Sequence, residues 1–214
     1  MKNIGVFISG GGSNLQVIID AIENGDIDAR INLVISGNNR AYGIERAKKH
    51  AIPCIVIQKK KYPNENLFIQ SILKNLKEYE IDMVVLAGYL NILPKKIVEE
   101  YRNKIINIHP SLIPAFCGDG FYGSRVHQAV LDYGVKITGA TVHFVDEGTD
   151  TGPIILQRPI EVMPGDNAET LAERVLKAEH SLLPKALKLL VDDRLVVEGR
   201  KVIIKKPNWR KNDE

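Results

Sequence analysis

Hydrophobic and polar positions follow two alternating periods along the first half of the chain. Short runs rich in Ile and Val predict strands, and the segments between them carry apolar residues at helical spacing. In the segment 13–24, for example, Leu15, Ile18, Ile19 and Ile22 share one face of a helix. The predicted strands lie at 3–9, 30–36, 53–58, 81–88 and 104–109, and the predicted helices at 13–24, 43–51, 65–80 and 94–101. This order favours a mostly parallel sheet covered by helices on both faces.

The pattern changes in the second half of the chain. Segments 136–145 and 152–162 predict two strands joined by a loop too short for a crossover helix, so we expect an antiparallel pair. The segment 167–190 predicts a long amphipathic helix that Pro184 kinks or divides. A hairpin is expected at 195–206.

These elements predict an α/β fold whose open, mostly parallel sheet is Rossmann-like in its N-terminal half. Antiparallel strands follow in the C-terminal part, with helices on both faces. The 214 residues suit one domain of the larger kind. We expect that domain to cover residues 1–206 and a polar tail to cover 207–214.

Composition narrows the classes of function. A net charge of +3 is too small to indicate nucleic-acid binding, although a basic cleft for an anion remains compatible with it. No apolar run approaches the roughly 20 residues that span a bilayer. Cys54 and Cys117 lie far apart in no metal or redox spacing, which favours a reduced, cytoplasmic protein without a metal. The sequence leaves open whether the protein is a monomer or a homodimer.

A glycine run, "SGGGSN", joins the first predicted strand to the first predicted helix. Glycines allow a sharp turn and a close approach of the backbone to a ligand. Ser13 is a good N-cap, and Gln16, three residues later, completes a capping box. A helix N-terminus with free N–H groups favours an anion, and phosphate is the usual one. The alternative is a turn that needs glycine for packing alone.

Two common nucleotide motifs do not fit this turn. A P-loop requires Gly-Lys-Ser/Thr, and here Ser-Asn-Leu follows the glycines. The dinucleotide motif requires a glycine where Leu15 stands and an acidic residue near "ISGNN", which has none. The turn therefore predicts a phosphate site and argues against NAD.

The segment "KIINIHPSLIP" (104–114) places Asn107 and His109 on one face of a predicted strand, at its carboxyl end. Ligands bind at that edge of an open α/β sheet. An Asn can donate a hydrogen bond to a developing oxyanion, and a His can exchange a proton near neutral pH. The alternative is a polar pair that only ties down the next loop.

A carboxylate that orients His109 is expected in "DEGTDTGP", where spacing does not choose among Asp146, Glu147 and Asp150. A solvated acidic turn is the other interpretation of that loop.

Glu179 falls on the apolar stripe of the long helix, together with Val175, Leu176 and Leu183. A carboxylate that faces the core is costly unless it is paired or hydrogen-bonded. Either it reaches a cleft and binds hydroxyl groups, or it lies at the edge of the stripe and extends to water.

Together these features resemble the family of phosphoribosylglycinamide formyltransferases. This family belongs to the wider formyltransferases, which include methionyl-tRNA formyltransferase and formyltetrahydrofolate deformylase. The resemblance covers nearly the whole chain through "ISGGGSNLQ", "VVLAGYLNIL", "NIHPSLIP", "ATVHFVDEGTDTGPIILQ" and "AEH". It implies formyl transfer from 10-formyltetrahydrofolate to glycinamide ribonucleotide in purine synthesis, with no metal. Both partners are small-molecule substrates.

The resemblance also implies roles for individual residues. The implied catalytic residues are Asn107, His109 and Asp150, with Asp150 paired to His109. Gly12, Ser13 and Asn14 are implied to hold the substrate phosphate, and Glu179 the ribose hydroxyls. Leu90, Asn91, Ile92, Leu93 and Asn107 are implied to bind the folate. A cis peptide bond at Ile113-Pro114 is a further expectation.

The sequence departs from the family pattern near the expected folate pocket. Asn91 stands where the family often has Arg, and "YPNEN" (62–66) has no basic residue for the folate tail. The loop 115–127 is longer than usual, and its three glycines predict a mobile flap or an ordinary surface loop. Which of its side chains contacts substrate, Tyr122, Arg125 or His127, is left open.

Two competing functions predict different features of the sequence. A tRNA formyltransferase should carry a basic C-terminal domain and a deformylase an N-terminal regulatory domain, and neither is expected in this chain. A non-catalytic phosphate- or nucleotide-binding protein explains the glycine turn but leaves Asn107, His109 and Asp150 unused.

Overall fold

The computed structural model describes residues 1–206, so the predicted tail at 207–214 lies outside the described residues. The strands are β1 (Lys2–Ile8), β2 (Ala29–Ser36), β3 (Cys54–Val56), β4 (Met83–Leu86), β5 (Ile105–His109), β6 (Ile137–Phe144), β7 (Ile154–Glu161), β8 (Leu195–Glu198) and β9 (Lys201–Ile204). The α-helices are α1 (Ser13–Glu23), α2 (Gly43–Lys49), α3 (Glu65–Glu78), α4 (Lys95–Glu100), α5 (Ser124–Tyr133) and α6 (Ala168–Val191).

The main sheet has the strand order β3-β2-β1-β4-β5-β6-β7. Strands β1 to β5 pair parallel, whereas β5–β6 and β6–β7 pair antiparallel. Strand order reverses between β1 and β4, and a ligand crevice forms at such a point in doubly wound sheets. The predicted α/β architecture, the antiparallel pair and the β8–β9 hairpin are confirmed.

The period of two along β1 separates two cores on opposite faces of the sheet. Val6 and Ile8 lie in the core that also contains residues of α1 and α6, whereas Phe7 lies in the core that contains residues of α3 and α4. All three side chains are fully buried. Burial on both faces explains why the strand is apolar from Ile4 to Ile8, because a strand with one wet face would alternate with polar residues.

The structure differs from the sequence-based expectations at two helices. Pro184 does not divide the long helix: α6 is continuous from Ala168 to Val191. The missing N–H costs one helical hydrogen bond, but Leu183 and Leu187 beside it are fully buried against the sheet, and this burial outweighs the loss. The segment 115–127, expected to be a flap or a surface loop, contains the start of α5, a helix that the sequence did not predict because glycines at its amino end obscure the apolar spacing of Val126 and Val130.

No α-helix within residues 1–206 is long and apolar enough to cross a membrane.

Candidate active site

The side chains of β5 divide between the core and a cleft. Ile106 and Ile108 are buried in the apolar core. Asn107 and His109 point to the other side, where both approach Asp150. The predicted alternation is therefore confirmed, and the pair lies at the carboxyl end of β5, next to the crevice of the sheet.

Asp150 is the acidic residue that reaches the Asn–His pair. Its Oδ2 lies 3.4 Å from Nδ1 of His109, and its Oδ1 accepts a hydrogen bond of 3.4 Å from Nδ2 of Asn107. The other two candidates have different partners: Asp146 accepts hydrogen bonds within its own turn, and Glu147 pairs with Arg102. The structure thus separates three carboxylates that sequence spacing had left equivalent.

The backbone holds Asp150 in an uncommon conformation. Its φ is 57°, in the left-handed region, which costs energy for a residue with a side chain. The N–H of Gly118 donates a 3.0 Å hydrogen bond to Oδ2 and helps to hold the carboxylate in place. Gly152 closes the loop from the other side, where an added Cβ would lie 1.8 Å from the carbonyl oxygen of Phe144.

A second histidine, which the sequence analysis did not assign, completes the cluster. His143 on β6 is almost fully buried, and its Nδ1 donates to the carbonyl of Phe144 at 2.7 Å. In the neutral ring Nε2 is therefore the acceptor, and it lies 3.1 Å from Nδ2 of Asn107. This contact fixes the amide of Asn107 with its N–H₂ toward Asp150. The signal was present in "VHFVD", since β6 pairs with β5 and places His143 opposite Asn107.

The surroundings of His109 determine which ring nitrogen faces the carboxylate. Nε2 lies 3.0 Å from the carbonyl oxygen of Phe116, which only accepts, so Nε2 carries a hydrogen. Nδ1 then faces Asp150. Burial lowers the pKa of His109 below its ordinary value, and Asp150 opposes this by raising it. Burial acts to raise the pKa of Asp150, but His143, His109 and the Gly118 N–H together hold that pKa below its usual range.

The glycine turn begins α1 differently from the predicted capping box. The N-cap is Gly12, with φ 71°, and no side chain caps the helix. Ser13 is the first helical residue, and Gln16 bonds instead to Asp20 and Arg46. An N-cap with a positive φ favours glycine over serine, so the backbone conformation makes Gly12, and not Ser13, the N-cap residue. A Cβ on Gly12 would lie 2.6 Å from the Cα of Gly43, so close packing on α2 also requires glycine here.

Glu179 is buried and paired rather than extended to water. It is 9% exposed, and its Oε2 accepts a 2.7 Å hydrogen bond from Nδ2 of Asn14. The interpretation as a stripe-edge residue is therefore wrong. Burial raises the pKa of Glu179 to about 7, although the Asn14 hydrogen bond acts in the opposite direction. The contact joins the predicted phosphate and ribose residues across 165 positions of sequence.

The raised pKa of Glu179 predicts a pH-dependent stability. Between the ordinary carboxyl pKa of 4.5 and the raised pKa of about 7, the folded state binds a proton that the unfolded state has released, so the free energy of unfolding falls as pH rises through this window. The loss is on the order of 3 kcal/mol and is complete above pH 7. Urea unfolding at pH 5 and pH 8 should show that Glu179→Gln removes most of this dependence. Equal pH dependence in both proteins would contradict the assignment.

A cavity of about 280 Å³ opens beside the catalytic cluster. It brings together the predicted folate residues and the cluster: its lining includes Leu90, Asn91, Ile92, Leu93, Asn107, His109, His143 and Asp150. Leu90 and Ile92 are 60% and 61% exposed, whereas Leu93 is buried. The N–H of Leu90 donates to Oγ of Ser9 at 3.1 Å, which ties this loop to the end of β1. Gly12, Ser13, Asn14 and Glu179 do not belong to this lining and form a neighbouring group around the start of α1.

Other expectations can be compared directly. The Ile113-Pro114 peptide bond is cis, as expected. Cys54 and Cys117 are both free thiols. Within residues 1–206 no group of three or more His, Cys, Asp or Glu side chains is arranged to hold a metal ion.

A Rossmann-like sheet with an Asn–His–Asp cluster at its ligand edge defines a candidate group-transfer enzyme. The sequence profile of the family described as "Formyl transferase" matches residues 2–187. The chain belongs to this formyl transferase family.

Named relatives agree with this membership. The chain is 40% identical over 191 residues to phosphoribosylglycinamide formyltransferase of Bacillus subtilis, covering 89% of this chain and 95% of that protein. It is 40% identical over 195 residues to the chloroplastic phosphoribosylglycinamide formyltransferase of Vigna unguiculata, covering 91% of this chain. The chain spans only 62% of the length of that plant protein. The crystal structure of glycinamide ribonucleotide transformylase 1 from Symbiobacterium toebii superposes with a TM-score of 0.91 at 42% identity, covering 96% and 95% of the two chains.

Proposed function

We propose that the protein transfers a formyl group from 10-formyltetrahydrofolate to the amine of N1-(5-phospho-D-ribosyl)glycinamide. The products are formylglycinamide ribonucleotide and tetrahydrofolate, and the step belongs to de novo purine (IMP) biosynthesis in the cytoplasm. The observation that carries the proposal is the cluster of Asn107, His109 and Asp150 around one cavity. The similarity to phosphoribosylglycinamide formyltransferases supports the choice of substrates.

Asn107 is proposed to stabilise the oxyanion. The glycinamide nitrogen attacks the formyl carbon, and the carbonyl oxygen gains negative charge as the tetrahedral intermediate forms. One N–H of Asn107 is held by His143 at 3.1 Å, whereas the other makes only a long contact of 3.4 Å to Asp150. The weakly held N–H is the one whose present contact the oxyanion can replace at little cost.

His109 is proposed to carry the proton. Collapse of the intermediate breaks the bond between the formyl carbon and N10, and the departing N10 requires a proton that the attacking amine releases. Nδ1 of His109 lies beside Asp150, which favours the imidazolium. Nε2 is held by the Phe116 carbonyl, which leaves Nδ1 as the nitrogen that exchanges the proton. The steps conserve charge and involve no covalent bond to the enzyme.

Substrate binding is proposed to use the neighbouring group of residues. The N–H groups of Gly12, Ser13 and Asn14 at the start of α1 favour the phosphate. Glu179, held by Asn14, binds the ribose hydroxyls as an acceptor when ionised. Leu90, Asn91, Ile92 and Leu93 form the folate wall of the cavity.

The decisive experiment is a transfer assay with purified protein, glycinamide ribonucleotide and 10-formyltetrahydrofolate. We expect tetrahydrofolate and formylglycinamide ribonucleotide to appear in equal amounts, and no turnover without the ribonucleotide. Release of formate at the same rate with and without the ribonucleotide would identify a hydrolase instead and would contradict the proposal.

A further inference from the structure

The glycine-rich segment Gly118–Gly123 is attached over the cavity rather than extended into solvent. Its first residue donates a 3.0 Å hydrogen bond to Asp150. Asp119 accepts a 2.7 Å hydrogen bond from the hydroxyl of Thr149, and the ring of Phe121 packs edge-on against Phe116. These contacts join the start of the segment to the loop that carries Thr149 and Asp150, and they join Phe121, near its end, to Phe116. The segment therefore lines the cavity together with residues 88–93.

Large apolar side chains of this lining are left exposed. Tyr122 is 46% exposed, and Leu90 and Ile92 in the same lining are 60% and 61% exposed. Exposed apolar groups that meet at one concave site mark a surface that a ligand covers. The aromatic ring of Tyr122 favours a flat, aromatic part of that ligand.

Among the described residues, the cavity lining has no lysine or arginine of its own. The acidic side chains of Asp119, Asp146 and Asp150 lie among the lining residues. A donor of the folate type ends in a glutamate with two carboxylates, which needs a cation for binding. Arg125 supplies one beside the lining: its guanidinium carbon lies 4.9 Å from the centre of the Tyr122 ring. Arg125 is exposed, so the charge remains available to a ligand.

We propose that Tyr122 and Arg125 are specificity-determining residues for the formyl donor. Tyr122 contacts the aminobenzoyl ring of the donor, and Arg125 pairs with its terminal glutamate. This inference rests on the proposed function, because the donor is a reduced folate. It places the binding of the donor's glutamate tail on α5 and the loop before it. Asn91 and the segment 62–66 offer no basic residue for that tail.

The test compares two ligands and four proteins. The ligands are tetrahydrofolate and its analogue in which a primary amide replaces the glutamate, and dissociation constants are measured by calorimetry without the ribonucleotide. We expect Arg125→Gln to weaken tetrahydrofolate about tenfold and to leave the amide analogue unchanged. Tyr122→Ala should weaken both ligands about tenfold, and Tyr122→Phe should restore both. Arg200→Gln, an exposed arginine in the turn between β8 and β9, should change neither.

The outcomes separate this inference from the proposed function. Equal weakening of both ligands by Arg125→Gln, or no effect on either, would overturn the role of Arg125. Unchanged binding in Tyr122→Ala would overturn the role of Tyr122. If the wild-type protein binds tetrahydrofolate but transfers no formyl group to the ribonucleotide, the proposed function fails, and the binding pattern still decides between a role for these residues and none.

Discussion

Replacing Asn107 by Ala is expected to lower kcat for formyl transfer about 10²–10³-fold, as for the loss of one oxyanion donor. The amide N–H₂ is the neutral donor that the structure directs to the catalytic cluster, because His143 accepts one of its hydrogens and holds the group in place. Steady-state kcat and KM for both substrates are the measurement. The expected loss falls on kcat, since the hydrogen bond strengthens as charge develops on the oxygen.

Controls distinguish this role from a structural one. Alanine at residue 107 leaves Nε2 of His143 without its partner, which costs stability by about 1–3 kcal/mol, so the melting temperature must be measured in parallel. Asn75→Ala is the matched control, because Asn75 is a part-buried amide on α3 whose side chain, within residues 1–206, bonds only to the carbonyl of Ser71. It should keep normal turnover. Near-normal turnover in a folded Asn107→Ala variant would exclude the oxyanion role.

Local periodicity was enough to predict the sheet and the Asn–His pair. Alternation along β5 depends only on the geometry of one strand, and the apolar partners Ile106 and Ile108 made that strand recognisable. The stripe of α6 also singled out Glu179, but it left open whether this side chain is buried or extends to water. Its partner Asn14 lies 165 residues away, and no local pattern encodes such a contact.

Other parts of the site depend on backbone conformations that spacing does not reveal. Asp150 is selected from three nearby carboxylates by a left-handed backbone and by the Gly118 N–H, which comes from a distant loop. The sequence does not single out His143, because a lone histidine in a buried strand is usually structural. Its contact with Asn107 follows from the pairing of β6 with β5. The sequence favours Ser13 as the N-cap over Gly12, because residue type alone does not reveal the positive φ of Gly12.

Asp150→Asn should be the most damaging conservative change, lowering kcat by about 10³–10⁴, as for loss of the carboxylate that orients a catalytic histidine. Asparagine is the right replacement, because it tolerates the left-handed φ of 57° and keeps the volume of the side chain. The change removes the negative charge 3.4 Å from Nδ1 of His109. An amide oxygen can still accept from Gly118, so the loop should remain in place.

The pH dependence gives the sharper part of this prediction. Burial already lowers the pKa of His109, and Asp150 is the group that raises it, so the asparagine variant should lower that pKa further. The imidazolium of His109 exists below its pKa. The limb of the kcat–pH profile that depends on this imidazolium should therefore move to lower pH. A kcat profile from pH 5 to pH 9 measures the shift. The control is Asp132→Asn, on the exposed face of α5, where the carboxylate accepts a hydrogen bond from Gln128. This change should leave both kcat and the pH limb unchanged. If kcat falls while the limb stays in place, Asp150 acts by holding the loop and not by controlling the protonation of His109.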